Sequence, residues 1–152
     1  MIDQHLKLFA CLNEKGVEYL LIGGALSIAY GVPRVTKDID IFVNPTKDNV
    51  QRCLEALTVF GMGTAEMTTV DDVCSTEVTI FKDFVRLDVL TKVKGLEFIT
   101  AWKGRVWLEL ESIRIPSISL DDLIRAKQAS GRPGDLEDVK VLKLARSEKN
   151  KF

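Results

Sequence analysis

The chain has 152 residues, of which 46% are apolar and 28% charged, and its formal net charge is −1 at pH 7. This composition predicts one globular domain with a real core, and it lacks the basic excess of a protein that grips a long nucleic acid. Glycines break the longest apolar run and the first residues do not resemble a signal peptide, so we expect a cytoplasmic protein without a membrane segment. Three cysteines without paired spacing argue against a disulfide framework or a structural zinc site.

The apolar spacing predicts an alternation of helices and strands along the chain. In order, the predicted elements are a helix over 2–14, a strand over 17–22, a helix over 25–30, a strand over 38–43, a helix begun by Thr46 and closed by Gly61 and Gly63, a hairpin over 77–90, a short helix over 95–102, strands over 105–110 and 112–115, a helix over 119–130 and a last helix capped by Asp135. Residues 64–75 have no clear pattern. The expected fold class is mixed α/β (α+β), a single domain over 1–152 with helices packed mainly on one face of a small mixed sheet.

Three aspartates lie inside two of the predicted strands. Asp38 and Asp40 belong to the run Asp-Ile-Asp-Ile-Phe-Val, and Asp88 belongs to Val-Arg-Leu-Asp-Val-Leu. Alternation along a strand places Asp38 and Asp40 on one face, and it places Arg86 on the same face as Asp88. With the two strands as neighbours, the three carboxylates converge at one edge of the sheet. Carboxylates at such short distances repel one another and raise one another's pKa, and a bound cation removes this repulsion.

A glycine pair lies upstream of these acids, directly after the first predicted strand. Gly23-Gly24 lets the backbone approach a phosphate closely. Oxygen ligands alone favour Mg²⁺ or Mn²⁺, and two such ions about 4 Å apart can hold both the attacking and the leaving oxygen of a phosphoryl displacement. The residues therefore predict a two-ion site that handles a nucleotide. A structural alternative is that the acids protect an exposed strand edge.

The ordered set of strand, Gly-Gly, helix, Asp-x-Asp strand and later Asp strand resembles the nucleotidyltransferase superfamily with a DNA-polymerase-β-like core. It reads Leu20-Leu-Ile-Gly-Gly-Ala, then thirteen residues from Ala25 to Lys37, then Asp38-Ile-Asp40 and Arg86-Leu-Asp88. It is similar to small prokaryotic members, which include the AbiEii-like toxin group and other minimal nucleotidyltransferases. The likeness covers a core of about 16–92 and continues more loosely into a C-terminal helical extension of about 117–150.

The resemblance implies a nucleotidyltransferase fold and a role for each matching residue. Gly23 and Gly24 would cradle the β- and γ-phosphates of the nucleotide. Asp38 and Asp40 would bind both metal ions, and Asp88 would bind the catalytic ion and help to deprotonate the acceptor hydroxyl.

Four further residues match the pattern outside this central set. The resemblance implies that Arg34 and Thr36 steady the triphosphate or the loop over it. It implies that Lys127 and Arg132 face the nucleotide.

The activity that the resemblance implies is Mg²⁺-dependent transfer of a nucleoside monophosphate from an NTP to an acceptor hydroxyl, with release of pyrophosphate. The acceptor stays open among a tRNA, a protein and a small molecule. The family's larger members add a domain that selects the acceptor, so a partner protein or a homodimer is expected here, and a toxin–antitoxin role fits the same group. The alternative function is a non-catalytic module that keeps the fold to bind an NTP or a partner.

Overall fold

The computed structural model describes the backbone of residues 2–150 and the side chains of residues 3–148. Within these residues the chain forms a six-stranded mixed sheet and eight helices. The strands are β1 (Tyr19–Ile22), β2 (Asp38–Val43), β3 (Val78–Lys82), β4 (Arg86–Leu90), β5 (Val106–Leu110) and β6 (Ile113–Ser117). The helices are α1 (Ile2–Glu14), α2 (Gly23–Ala29), α3 (Lys47–Phe60), α4 (Gly63–Glu66), α5 (Val70–Cys74), α6 (Phe98–Lys103), α7 (Leu120–Ser130) and α8 (Pro133–Asn150). Of the single domain expected over 1–152, Met1, Lys151 and Phe152 lie outside the described residues.

The strand order in the sheet is β3-β4-β2-β1-β6-β5. β2 is antiparallel to β1 and parallel to β4, and β6 is parallel to β1, while β3–β4 and β5–β6 are hairpins. The two strands that carry the aspartates, β2 and β4, are therefore direct neighbours, as the predicted convergence of the three carboxylates requires. Both are interior strands of the sheet, so these acids do not protect an exposed strand edge.

Alternating side chains of β2 divide the sheet into an apolar face and an acidic face. Ile39 and Ile41 are buried on the first face. There α1 covers the sheet, because Leu6 and Phe9 line the same apolar cavity as Ile39. On the second face Phe42 is buried edge-on against Phe98 of α6, with ring centroids 5.2 Å apart. The upper part of this second face, where Asp40 lies, is left as a groove under α7.

Caps set the ends of the longer helices. The Thr46 side chain accepts a hydrogen bond from Asn49 N at 3.3 Å, as predicted, and Gly61 ends α3 in a left-handed conformation with φ 110°. The Ser119 side chain accepts from Asp122 N at 3.1 Å and begins α7. These local signals are readable in sequence because each depends on residues within one turn of the helix end.

Several parts of the chain differ from the sequence-based elements. Residues 64–75 hold most of α4 and all of α5, and Thr69 and Asp72 form a reciprocal capping box at the start of α5. β6 continues through Pro116 to Ser117, because Ser117 pairs with Leu21 of β1.

The start of the last helix was predicted wrongly. α8 begins at Pro133 instead of at a cap formed by Asp135. Proline fits the first turn because its missing N–H has no partner there in any case. Asp135 is therefore inside the first turn, and its carboxylate is used elsewhere. The short helix α6 likewise begins at Phe98, later than the predicted 95.

No helix among residues 2–150 has the length and apolar character needed to cross a bilayer.

Candidate active site

Asp40 and Asp88 form the centre of the acidic face. They are paired across the parallel strands β2 and β4, and the next pair on the same face is Asp38 with Arg86. The pKa of Asp40 is raised to about 7. Burial is the largest cause, followed by the charge and hydrogen bond of Asp88 and then by the charge of Asp38, while the charge of Arg86 lowers this pKa only in part. The cause of the raised pKa is an excess of negative charge in a partly buried place.

Arg86 is the cation that partly neutralises this negative charge. The sequence analysis assigned it no role. Its Nε lies 3.1 Å from Asp88 Oδ1 and 3.7 Å from Asp38 Oδ2. A hydrogen bond to Asp88 raises the pKa of Arg86 above its ordinary value, so the guanidinium stays charged. The signal was present in the sequence, since Arg86 is two residues before Asp88 and alternation places both on one face.

This arrangement bears on metal binding. Among residues 2–150, no three His, Cys, Asp or Glu side chains converge closely enough to hold one ion as they stand. Arg86 is within ion-pair distance of both Asp38 and Asp88. The donor set still fits Mg²⁺, because Asp40 and Asp88 on the groove floor offer carboxylate oxygens.

Gly23 brings the chain tightly past the acids. It follows Ile22, which pairs with Asp40, and it has a positive φ of 74°. A Cβ at this position would be 2.3 Å from Asp40 Oδ2, so the carboxylate or the backbone would have to shift to make room for it. The absence of a side chain thus lets the backbone at the start of α2 touch the carboxylate.

Gly24 and Thr36 form a second, looser contact beside it. A Cβ on Gly24 would lie 3.5 Å from Thr36, an ordinary van der Waals distance. Thr36 Oγ1 accepts a hydrogen bond from Asp38 N at 3.1 Å. Thr36 therefore fixes the entry of the chain into β2.

A groove of about 380 Å³ opens over the acids between the sheet and the C-terminal helices. Its floor is formed by Ile22, Gly23, Asp40 and Asp88, its far wall by Leu123, Lys127, Ser130, Arg132 and Asp135, and its rim by Glu77, Lys92 and Lys94. The volume suits a small molecule of nucleotide size.

Lys127 is the buried cation of the far wall. Its side chain is only 8% exposed, and Nζ lies 3.2 Å from Asp135 Oδ1 and 2.9 Å from Asp138 Oδ2. Asp135 also accepts hydrogen bonds from Ser130 and from Arg132 Nε, the latter at 2.9 Å. Burial alone would raise the pKa of Asp135, but these hydrogen bonds and the charge of Lys127 outweigh it and lower the pKa.

The same network reaches the loop before β2. Arg34 Nη1 donates to Asp138 Oδ2 at 2.8 Å. Because Asp138 also holds Lys127, the loop of residues 32–37 is tied to α8 and α7 through one carboxylate.

The structure thus separates the nine residues singled out in the sequence into two groups. The groove itself is lined by Gly23, Asp40, Asp88, Lys127 and Arg132. The other residues lie beside it: Asp38 lines a neighbouring depression with Arg86, and Gly24, Arg34 and Thr36 support the loop and the start of β2.

The fold is similar to that of a Thermotoga maritima protein described as a "putative nucleotidyltransferase", whose crystal structure was determined at 1.87 Å resolution. The two chains are 20% identical with a TM-score of 0.52, and the match covers 93% of this chain and 89% of that one. This likeness concerns the fold, and it confirms the predicted nucleotidyltransferase-like mixed α/β architecture.

The family model described as "Nucleotidyltransferase of unknown function (DUF6036)" matches residues 1–148. The chain therefore belongs to this family of nucleotidyltransferases of unknown function. No curated protein sequence matches it.

Proposed function

We propose that the protein transfers a nucleoside monophosphate from an NTP to an acceptor hydroxyl, with Mg²⁺ as its cofactor. The observation that carries the proposal is the pair Asp40–Asp88 beside Gly23, on the floor of a groove whose far wall holds the exposed Arg132 and the buried Lys127. Carboxylates, an open backbone and cations are the three components that a triphosphate substrate with its divalent ions requires.

Each residue has a part in the proposed reaction. The acceptor oxygen forms a bond to the α-phosphorus, the bond from the α-phosphorus to the bridging oxygen of the β-phosphate breaks, and pyrophosphate leaves. Asp88 accepts the hydroxyl proton, and Asp40 and Asp38 hold the ions with it. Gly23 and Gly24 leave room for the phosphates. When bound, Mg²⁺ supplies neutralising charge at the phosphoryl oxygens.

Arg86 must leave Asp88 before all three acids can bind ions. The Arg86 side chain is 37% exposed and lies at the start of β4, so it can turn toward solvent or toward an incoming phosphate without disturbing the core. We therefore assign Arg86 as an internal counter-ion that holds the acids before the substrate and its ions arrive.

The proposed activity is tested by measuring pyrophosphate release from each NTP with Mg²⁺ in the presence of a cell lysate. The lysate is then fractionated, and the fraction that takes up labelled nucleotide is identified. Asp40→Asn and Asp88→Asn should each abolish labelling while melting cooperatively. Asp71→Asn, which changes an acid that is 84% exposed on α5, is the matched control and should label at the wild-type level. Retained labelling in the Asp40 and Asp88 variants would end the proposal.

A second candidate function is favoured by the pairing of Arg86 with Asp88. A site in which Arg86 already pairs with the proposed proton acceptor Asp88 suits a module that binds an NTP or a partner without turnover. This alternative predicts that NTP with Mg²⁺ raises the melting temperature while no pyrophosphate appears with any acceptor fraction. Pyrophosphate release that depends on Asp88 excludes it.

A further inference from the structure

Two tryptophans and two arginines form a continuous stack at the far end of the acidic face. The guanidinium carbon of Arg105 lies 4.1 Å from the ring centroid of Trp102 and 5.5 Å from that of Trp107. The guanidinium carbon of Arg114 lies 4.3 Å from the ring centroid of Trp107. We name the four residues Trp102, Arg105, Trp107 and Arg114 the tryptophan–arginine ladder.

The outer end of the ladder is open to solvent, and its guanidinium groups stack on rings instead of forming ion pairs with other described residues. Trp107 is 45% exposed, which is unusual for the largest apolar side chain, and Arg114 is exposed beside it. Neither ladder guanidinium has a carboxylate within 4.0 Å among the described residues, whereas Arg34 and Arg86 do.

Arg114 has no ion pair within residues 3–148 even though a carboxylate, that of Glu109, is available nearby. Glu109 is the residue directly opposite Arg114 in the β5–β6 pairing, so a cross-strand ion pair is geometrically available. The Arg114 guanidinium lies over the diagonal neighbour Trp107 instead. The stacked position therefore keeps a planar cation and an aromatic ring together at the surface.

The ladder faces the same side of the sheet as the candidate active site. Ser117 pairs with Leu21 and shares its face, so Pro116 and its partner Trp107 lie on the opposite face. Asp40 is on that opposite face as well, since it pairs with Ile22. From β2 to β5 there are three strand spacings, which is roughly 14 Å across the sheet.

We propose that the tryptophan–arginine ladder binds single-stranded nucleic acid. An unpaired base stacks on the Trp107 ring in place of the Arg114 guanidinium, which moves onto the adjoining phosphate. Arg105, held between the two rings and by its hydrogen bond to the Trp102 carbonyl at 2.7 Å, keeps the platform rigid. Stacking platforms combined with basic side chains are the means by which proteins hold unpaired bases without reading sequence. An acidic peptide would match the charge but would leave the exposed ring unused.

The chain carries its own reporter for this binding. Its only two tryptophans, Trp102 and Trp107, both belong to the ladder, so tryptophan fluorescence, excited selectively over the two tyrosines, reports on the ladder. Single-stranded RNA and DNA oligonucleotides of about 12 nucleotides are titrated into the full chain in EDTA at low salt. We expect saturable quenching, with a log–log salt slope of roughly −1.4 if two phosphates are contacted. The RNA and DNA arms show whether the 2′-hydroxyl contributes.

Variants locate the site by anisotropy of a labelled oligonucleotide. Trp107→Leu should weaken binding about tenfold, the range of one base–aromatic stack. Arg114→Lys keeps the charge but loses the planar group, so it should lose affinity less than Arg114→Ala. Phe84→Leu on the β3–β4 turn, an aromatic that is 59% exposed, and Lys7→Ala on α1 are the matched controls and should bind normally.

Three results would overturn the proposal: no quenching at low salt, equal binding by the Trp107 and Phe84 variants, or equally tight binding of polyglutamate. A change of oligomeric state in Trp107→Leu, with oligonucleotide affinity unchanged, would assign the ladder to a protein interface instead. Because the assay contains no Mg²⁺ or NTP, its outcome is independent of the proposed transfer reaction. If both proposals hold, a nucleic acid is the acceptor class.

Discussion

Asp40 and Asp88 lie directly opposite one another on the parallel strands β2 and β4. Burial and the charge of Asp88 raise the pKa of Asp40 to about 7. In the unfolded chain an aspartate titrates near 4. Between these values the folded protein keeps a proton that the unfolded chain has lost. The free energy of unfolding therefore falls as the pH rises from about 4 to about 7.

Asp40→Asn should remove this pH dependence. At pH 8 without metal we expect the variant to be more stable than the wild type by about 2 kcal/mol, because a pKa unit is worth about 1.4 kcal/mol and the coupled pair shares its proton. At pH 5 the gain should be roughly a third as large, because only the first part of the pH range from about 4 to about 7 has then been crossed. Urea unfolding in EDTA at both pH values measures the difference. A variant destabilised equally at pH 5 and pH 8 would contradict the raised pKa.

Arg86→Gln should strengthen Mg²⁺ binding. The guanidinium competes with an ion for Asp88 and Asp38, so its removal frees these oxygens and leaves their repulsion unanswered. We expect the Mg²⁺ affinity measured by calorimetry to rise several-fold, while the stability in EDTA falls. Arg125→Gln, which removes a cation paired with Asp122 on α7, is the control and should leave Mg²⁺ binding unchanged. Weaker Mg²⁺ binding in the Arg86 variant would show that Arg86 assists the ion instead of competing with it.

Gly23→Ala and Gly24→Ala should differ sharply although the residues are adjacent. At Gly23 an added Cβ meets Asp40 Oδ2 at 2.3 Å and the backbone has φ 74°, so we expect a loss of about 2–3 kcal/mol. At Gly24 the added Cβ reaches Thr36 at 3.5 Å, and alanine suits a helix better than glycine, so stability should be unchanged or gain about 0.5 kcal/mol. Thermal unfolding distinguishes the two. Equal effects would mean that the close approach of Gly23 to Asp40 does not exist in solution.

Lys127→Met should be among the most damaging single changes away from the apolar core. It leaves Asp135 and Asp138 buried without their shared cation, which costs about 3–5 kcal/mol. Lys140→Met removes an exposed ion pair with Glu137 and should cost under about 1 kcal/mol. Urea unfolding gives both values. Comparable small losses in the two variants would indicate that water reaches the Lys127 network.

The acidic face itself was predictable from sequence. In the run Asp-Ile-Asp-Ile-Phe-Val the polar and apolar residues alternate with the period of a strand, so Asp38 and Asp40 had to share a face once the strand formed. The glycine pair after an apolar strand and the caps Thr46 and Ser119 were readable for the same reason. Each of these signals depends on side-chain spacing within a few residues.

Sequence could not predict what Lys127, Arg34 and Arg86 contact. A lysine on a helix is normally solvated, and only the packing of α8 against α7 brings Asp135 and Asp138 around this one. Arg34 is separated by more than a hundred positions from the acid that holds it. Arg86 shared a face with Asp88 by alternation, but its pairing with Asp38 requires β2 and β4 to be neighbours.

The chain by itself determined which residues are acidic, which positions lack a side chain and which faces of its strands are polar, because these follow from residue type and local period. Only the tertiary structure decided that β2 and β4 pair in parallel with Asp40 opposite Asp88, and that Gly23 passes against that carboxylate. Strand order and register follow from burial of the whole apolar set, a sum over distant residues that no short stretch of sequence contains.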